Sequence, residues 1–346
     1  MARPKLLPDN FTLMLVGTVI LASLVPVHGA ATVPFDWFTN FAVGLLFFLH
    51  GAKLSREAVV AGATHWRLHA LVLACTFVLF PLLGLALRPI FSPIVTPELY
   101  AGVLFLCTLP STVQSSIAFT SIARGNVPAA VCSASASSLL GIFITPALVS
   151  VIVTQHAGAG SSAWHTIWNI VLQLLVPFVA GQLLRPMMGR WIERHRHLTK
   201  FVDQGSILLV VYGAFSEAVI EGLWHHVPLA ALGGLVVVNA VLLAIALTIT
   251  IFVSKRLGFS RADQITIIFC GSKKSLASGV PMAKVIFATS GVGAAVLPLM
   301  LFHQIQLMVC AALAQRWGAR DMSGERAAGS GDESRSGARE PAALRR

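Results

Sequence analysis

The stretch Phe269-Cys270-Gly271-Ser272-Lys273-Lys274-Ser275-Leu276-Ala277-Ser278-Gly279-Val280-Pro281 decides how the rest of the chain is read. It lies inside a largely apolar interval, Ala262–Phe287, long enough to cross ~30 Å of hydrocarbon at ~1.5 Å per residue. A lysine at the centre of such a span costs about 2.5–3.5 kcal/mol on insertion scales. Two adjacent lysines at midspan cannot both snorkel to an interface. Starting the span after Lys274 would strand Ile265–Cys270 as an unexplained apolar run. The pair therefore reads as a functional site in a membrane helix interrupted near Gly271–Lys274, facing water or a partner group.

The composition carries the same reading outward. Hydrophobic residues make up 56% of the 346 and charged residues 11%, and the mean hydropathy is +0.79. Soluble domains carry about 25% charged residues, so this chain cannot cover a water-facing surface. Its apolar runs are too long and too uniform for the ~10-residue alternating strands of a membrane barrel. Helices remain, because a span must bond its own backbone. The expected class is all-α integral membrane, with the lipid bilayer as an obligate partner. The net charge of +11 sits in short loops, which fits topogenesis and excludes nucleic acid as a partner.

Ten spans are expected: Asn10–Val27, Asp36–Leu54, Leu68–Leu87, Leu99–Arg124, Asn126–Thr154, Ala163–Leu184, Gln204–Trp224, Pro228–Ser254, Ala262–Phe287 and Ala294–Trp317. The first resembles a secretory signal, with Arg3 and Lys5 before it and Gly29-Ala30-Ala31 after it, but the many spans that follow favour an uncleaved helix. With the N-terminus in the cytoplasm, the inner segments hold Lys53, Arg56, Arg67, Arg124, Arg185, Arg190, Arg194, Arg196, Lys200, Lys255, Arg256, Arg261, Arg316 and Arg320. The outer loops hold Arg88 alone. That asymmetry predicts a cell inner (plasma) membrane protein with both termini cytoplasmic. Residues 1–317 form the expected transmembrane transporter domain, and the Gly-, Ser- and charge-rich residues 318–346 a disordered tail.

Five spans and five spans make two inverted halves, about 10–154 and 163–317, a common transporter construction. Gly51 and Gly213 are separated by the same interval as Pro110 and Ser272. The second pair marks the two interruptions. The earlier one reads Thr108-Leu109-Pro110-Ser111-Thr112-Val113-Gln114-Ser115-Ser116. Pro110 removes a donor and clashes with the preceding turn, leaving carbonyls, hydroxyls and the Gln114 amide as oxygen ligands.

Candidate substrate- or ion-binding residues are Thr112, Gln114, Ser115, Ser116, Ser133, Ser135, Ser272, Lys273, Lys274, Ser275, His303 and Gln304. His50 is a weaker candidate and Glu217 a candidate lysine counter-ion, whereas Glu221 and Lys284 fall near outer span ends. Cys75, Cys107, Cys132, Cys270 and Cys310 lie in apolar spans with no C-x-x-C pair, and read as small buried residues. No H-E-x-x-H, P-loop or nucleophile elbow occurs, so no enzyme and no catalytic residue is expected.

At these residues the chain resembles the bile acid:sodium symporter family, and within it the bacterial branch close to the seventh vertebrate member. The resemblance spans the ten helices and leaves out the tail. It is most specific at Ala123-Arg124-Gly125-Asn126-Val127, at Thr145-Pro146 and at Phe269–Pro281. It implies a panel domain of spans one, two, six and seven, and a core domain of the rest. Spans four and nine are then unwound and cross, with sodium sites beside the crossing and substrate in the cleft between domains.

Carried over by residue, the family's Ser-Asn pair matches Ser115-Ser116, the candidate sodium ligands here, once one residue is inserted. Its span-five hydroxyls fall at Ala130 and Ala134, beside Ser133 and Ser135. Its span-nine glutamate falls at Phe269, its glutamine at Lys273 and its asparagine at Lys274. Its span-three glutamine falls at Thr76, and its span-ten His-Asn pair matches His303-Gln304.

The expected function is a secondary active transporter moving a small organic anion by alternating access. Sodium is the one cofactor ion the resemblance implies. A fixed ammonium at Lys273 in the place of one sodium charge opens proton coupling or uncoupled transport instead. The runner-up is a channel or regulator of ion flux that has lost sodium-coupled transport. A membrane scaffold ranks third.

Overall fold

The computed structural model describes residues 10–53, 65–152, 171–220, 222, 228–287 and 291–336. Within them the chain is helix and turn, with no strand. The helices are α1 (Asn10–Leu24), α2 (Thr32–Lys53), α3 (Trp66–Ala74) and α4 (Phe80–Ala86), then α5 (Pro97–Thr108), α6 (Gln114–Ile122) and α7 (Val127–Ile152). After these come α8 (Val176–Arg194), α9 (Arg196–Ile220), α10 (Leu229–Arg256), α11 (Arg261–Gly271), α12 (Leu276–Ile286) and α13 (Val292–Ser336).

Five helical stretches are long and apolar enough to cross a membrane: Gly29–Lys53, Trp66–Ala86, Val127–Ile152, Ala230–Arg256 and Val292–Ala319. Large apolar side chains stand outward, Trp37 at 76% exposure and Phe41 at 68%, as a lipid-facing surface requires. The chain is a multi-pass membrane protein. The expected start of span six, the end of span two, Glu221, Arg3 and Lys5 lie outside the described residues. α13 runs on to Ser336, past the Gly318 boundary from which the composition leads one to expect no fixed structure.

Breaks and bends have local causes. Thr96 accepts from the Leu99 N–H ahead of Pro97, so α5 starts capped. Pro110 ends α5. Ser260 accepts from the Asp263 N–H to cap α11, and Ser275 accepts from the Ser278 N–H to cap α12. Between α3 and α4 the helix loosens into a π turn, Cys75–Leu79, just before Pro81.

The turn Ala123–Asn126 explains one sequence signature. Arg124 stands at φ 58°, the left-handed close of α6. A Cβ on Gly125 would come within 2.6 Å of Ile265 Cγ2, so only glycine lets the turn reach α11. Asn126 donates from Nδ2 to Asp263 Oδ1 at 2.8 Å, and its Oδ1 accepts the Ala129 N–H to start α7. The end of α6 is thereby fastened to the start of α11.

Helices α1, α2, α8 and α9 pack chiefly on one another, and α3–α7 with α10–α13 make the remaining body. Gly51 and Gly181 let α2 and α8 touch backbone to backbone, because a Cβ on either would lie 2.0 Å from a carbonyl oxygen of the other helix. The two groups meet where α12 and α13 pack on α9. Cavities open along that seam.

Candidate functional site

The two interruptions meet. Chain break 109–113 between α5 and α6 passes chain break 272–275 between α11 and α12, and the two share main-chain bonds. Ser275 N–H donates to Pro110 O at 2.9 Å, and Ser111 Oγ donates to Cys270 O at 2.5 Å. Ser116 Oγ donates to Phe269 O at 3.0 Å. From α7, Ser137 Oγ accepts the Ser111 N–H at 3.0 Å, and Thr145 Oγ1 donates to Thr108 O at 2.9 Å. Gly141 leaves room for the Pro110 ring, since a Cβ there would stand 2.7 Å from Pro110 Cβ. Each broken end thus satisfies the backbone groups that its own helix cannot.

Both lysines sit inside this crossing with no exposed surface. Lys274 Nζ donates to three main-chain carbonyls, Thr76 at 2.7 Å, Cys107 at 2.8 Å and Leu109 at 2.7 Å. It also stands 4.3 Å from the centre of the Phe80 ring. Lys273 Nζ points elsewhere. It donates to Ser115 Oγ at 3.2 Å and lies over the rings of Phe119, at 4.4 Å, and Phe269, at 5.8 Å. Among the described residues no carboxylate pairs with either ammonium. Glu217, expected as a counter-ion, instead lines a different cavity with Asp36 and Lys284. Its position on α9, in the other helix group, sets it apart from the crossing.

A hydroxyl cluster continues from Lys273. Thr112 Oγ1 is 2.7 Å from Ser115 Oγ and 3.1 Å from Ser116 Oγ. Gln306, buried on α13, grips the Lys274 main chain twice. Its Oε1 accepts the Lys274 N–H at 2.8 Å, and its Nε2 donates to Lys274 O at 2.8 Å. The second amide proton then points at His303 Nδ1, 2.9 Å away, which leaves Nε2 of a neutral His303 to carry the ring proton.

The remaining predicted residues divide. Gln114 is the exposed first residue of α6, Ser275 caps α12, and both line a cavity of about 250 Å³ together with Thr112, Ser115 and His303. Ser272 Oγ donates back to Ile268 O at 2.6 Å and closes α11. Ser133 Oγ is 2.6 Å from His69 Nδ1, away from the lysines. Ser135 and Gln304 are half-buried and line none of the cavities described. His50 lines the same cavity as Ser115, with Nδ1 2.8 Å from Leu46 O.

Ser137 and Gln306 were not singled out from the sequence, Ser111 entered only as one hydroxyl of the first interruption, Thr145 only within the Thr145-Pro146 segment, and Thr76 only as the residue in the place of the family's glutamine. A buried glutamine one turn from His303 was the strongest available signal. A backbone carbonyl carries none of its own. The five cysteines are free and buried, and Cys270 follows the apolar run of α11 into the crossing.

A second cavity of about 440 Å³ reaches from Arg185 and Lys53 to Lys200, Asp203 and Gln114. The last three also line the 250 Å³ cavity, so the two adjoin. Lys53 pairs with Asp203 at 2.5 Å. The third cavity, about 550 Å³, opens by Asp36, Asn40, Glu217 and Lys284, with Lys284 paired to Asp36 at 2.8 Å.

The profile of the SBF-like CPA transporter family matches residues 9–319. The chain belongs to that family. An uncharacterised protein of Pseudomonas aeruginosa is 67% identical over 92% of this chain and 96% of its own length. A protein of Escherichia coli strain K12, provisionally named a symporter, YfeH, is 57% identical over 89% of this chain and 92% of its own. Sodium/bile acid cotransporter 7 of the mouse is 28% identical over 85% and 87%. The Escherichia coli relative is named as a symporter and the mouse relative as a cotransporter.

Proposed function

We propose that the protein is a secondary active transporter that moves a small organic anion across the cell inner membrane by alternating access. The observation that carries this reading is a pair of buried ammoniums, with no carboxylate partner among the described residues, at the crossing of two broken helices. An uncompensated buried positive charge favours an anion nearby. The adjoining cavity is small, about 250 Å³, and its polar lining is hydroxyls, the amides of Gln114 and Gln204, two imidazoles, Lys200 and Asp203, the last paired with Lys53; the hydroxyls, amides and imidazoles are partners for a carboxylate and a few hydroxyls. The helix group α1, α2, α8 and α9 corresponds to the panel and the remainder to the core, in two inverted halves with both termini cytoplasmic. Substrate would exchange along the seam between them, where the three cavities lie.

In this reading Lys273 holds the place of one sodium charge, with Ser115 and Ser116 as the remaining hydroxyl ligands. Uptake into proteoliposomes against imposed sodium and pH gradients tests it, after a thermal-shift screen of organic anions with and without sodium has supplied a substrate. Uptake that follows the pH gradient, or neither gradient, is the expected result. Strict sodium dependence that persists in Lys273→Ala would overturn it. The absence of a carboxylate at Phe269 also motivates a second reading, a channel or regulator of ion flux. Function that survives crosslinking α9 to α12 would favour that one.

A further inference from the structure

The surroundings of Lys274 differ in kind from those of Lys273, and their origin lies in two prolines. In the π turn the Phe80 N–H donates to Cys75 O. The next residue, Pro81, has no N–H to give, so Thr76 O is left without a helical partner. In α5 the regular donor to Cys107 O would be the Ser111 N–H, which donates to Ser137 Oγ instead. Pro110, the nearer alternative, again has no N–H. Leu109 stands extended at ψ 154°, outside the helical ladder.

Three carbonyls thus converge from two elements with no main-chain donor, in a region without exposed surface on Lys274, Thr76, Cys107 or Leu109. Two of them sit at the C-terminal, electronegative end of a helix. An ammonium has three N–H donors and no acceptor, and all three are used at 2.7–2.8 Å. A carbonyl cage closed by an aromatic face is a site for a monovalent cation, and it holds one that is part of the chain.

We propose that Lys274 is a tethered cation. Its ammonium fills a carbonyl-lined monovalent-ion site that joins the α3–α4 π turn to the broken end of α5, so this part of the crossing is assembled without sodium or any other free ion. Lys273, itself buried, is left as the lysine joined to the cavity, through the Ser115 hydroxyl that lines it. The inference does not rest on the transport reading, because protein stability reports it whether or not an anion is carried.

The test is the unfolding midpoint of the purified full chain in sodium, potassium, n-propylammonium or N-methylglucamine chloride at fixed ionic strength. Lys274→Met keeps the volume and removes the charge. It is expected to lower the midpoint by roughly 5–10 °C, since each orphaned carbonyl costs about 1–3 kcal/mol. Lys274→Ala opens the cage, and tens of millimolar n-propylammonium or sodium is expected to recover much of its loss, as a ligand of the folded state alone must. N-methylglucamine, too large for the cage, is expected to recover none. Lys273→Met is the control and is expected to gain no such response. A wild-type midpoint in Lys274→Met overturns the proposal, as does a Lys274→Ala response to small cations no larger than that of the wild type. If neither neutral variant folds, Lys274→Ala is extracted and purified in n-propylammonium or N-methylglucamine chloride: folded protein with the small cation alone supports the tethered cation, and no difference between the two salts overturns it.

Discussion

The two helix breaks look alike in the chain and do opposite things in the molecule. The break after α5 is made by a proline and presents acceptors: the carbonyls of Cys107, Leu109 and Pro110 and a run of hydroxyls. The break after α11 has no proline at its centre and presents chiefly donors, two ammoniums and the Ser275 N–H, while the carbonyls of Phe269 and Cys270 accept in return from Ser116 and Ser111. A helix end buried in hydrocarbon needs partners for its orphan groups, and water is not at hand. Each break is therefore stable only against the other. The difference teaches why lysines can stand at midspan: their insertion cost is offset by acceptors that a proline has already freed.

Substitutions can break that complementarity from either side. The largest effect is expected from removing the donors of Lys274, and the same exchange at Lys273 measures the contrast. Lys273 makes one hydroxyl bond and ring contacts, so Lys273→Met is expected to cost about 1–2 kcal/mol, well under the three-carbonyl loss at Lys274. Paired thermal melts read the difference, and equal losses would erase the distinction between the two ammoniums.

On the acceptor side, Gly141→Val pushes a rigid side chain into the Pro110 ring, where even a Cβ would stand at 2.7 Å. A destabilisation of about 1–3 kcal/mol is expected, together with loss of transport, because the break itself is displaced. A variant with normal stability and uptake would mean that the ring's position is not critical.

Gln306→Leu removes two bonds to the Lys274 main chain and should cost about 1–3 kcal/mol, read by denaturation in detergent. The smallest effect is expected at the seam. Lys284→Gln breaks an ion pair whose carboxylate partner is 59% exposed. Such a pair contributes little to stability, so the midpoint should hold while any change appears in uptake rate.

Much of this was legible from composition and order. Mean hydropathy, lysines at midspan and Pro110 identify a membrane helix bundle with two interruptions, and five long apolar helices and the family profile agree with that. Thr112, Ser115, Ser275 and His303, expected as binding residues because hydroxyls and an imidazole in an apolar span are costly unless used, line one cavity. Gln306 was not singled out, because a helical face cannot be assigned from one apolar span that is buried or lipid-facing all round.

By itself, the sequence determined that this chain must live in a bilayer and where its helices must break, since hydrophobicity and proline act locally. Only the tertiary structure decided which broken end meets which. The Thr76 carbonyl and the Lys274 ammonium are 198 positions apart. A main-chain oxygen is the same chemical group at every residue, so its orphaning by Pro81 and its capture by Lys274 appear only once the helices are packed.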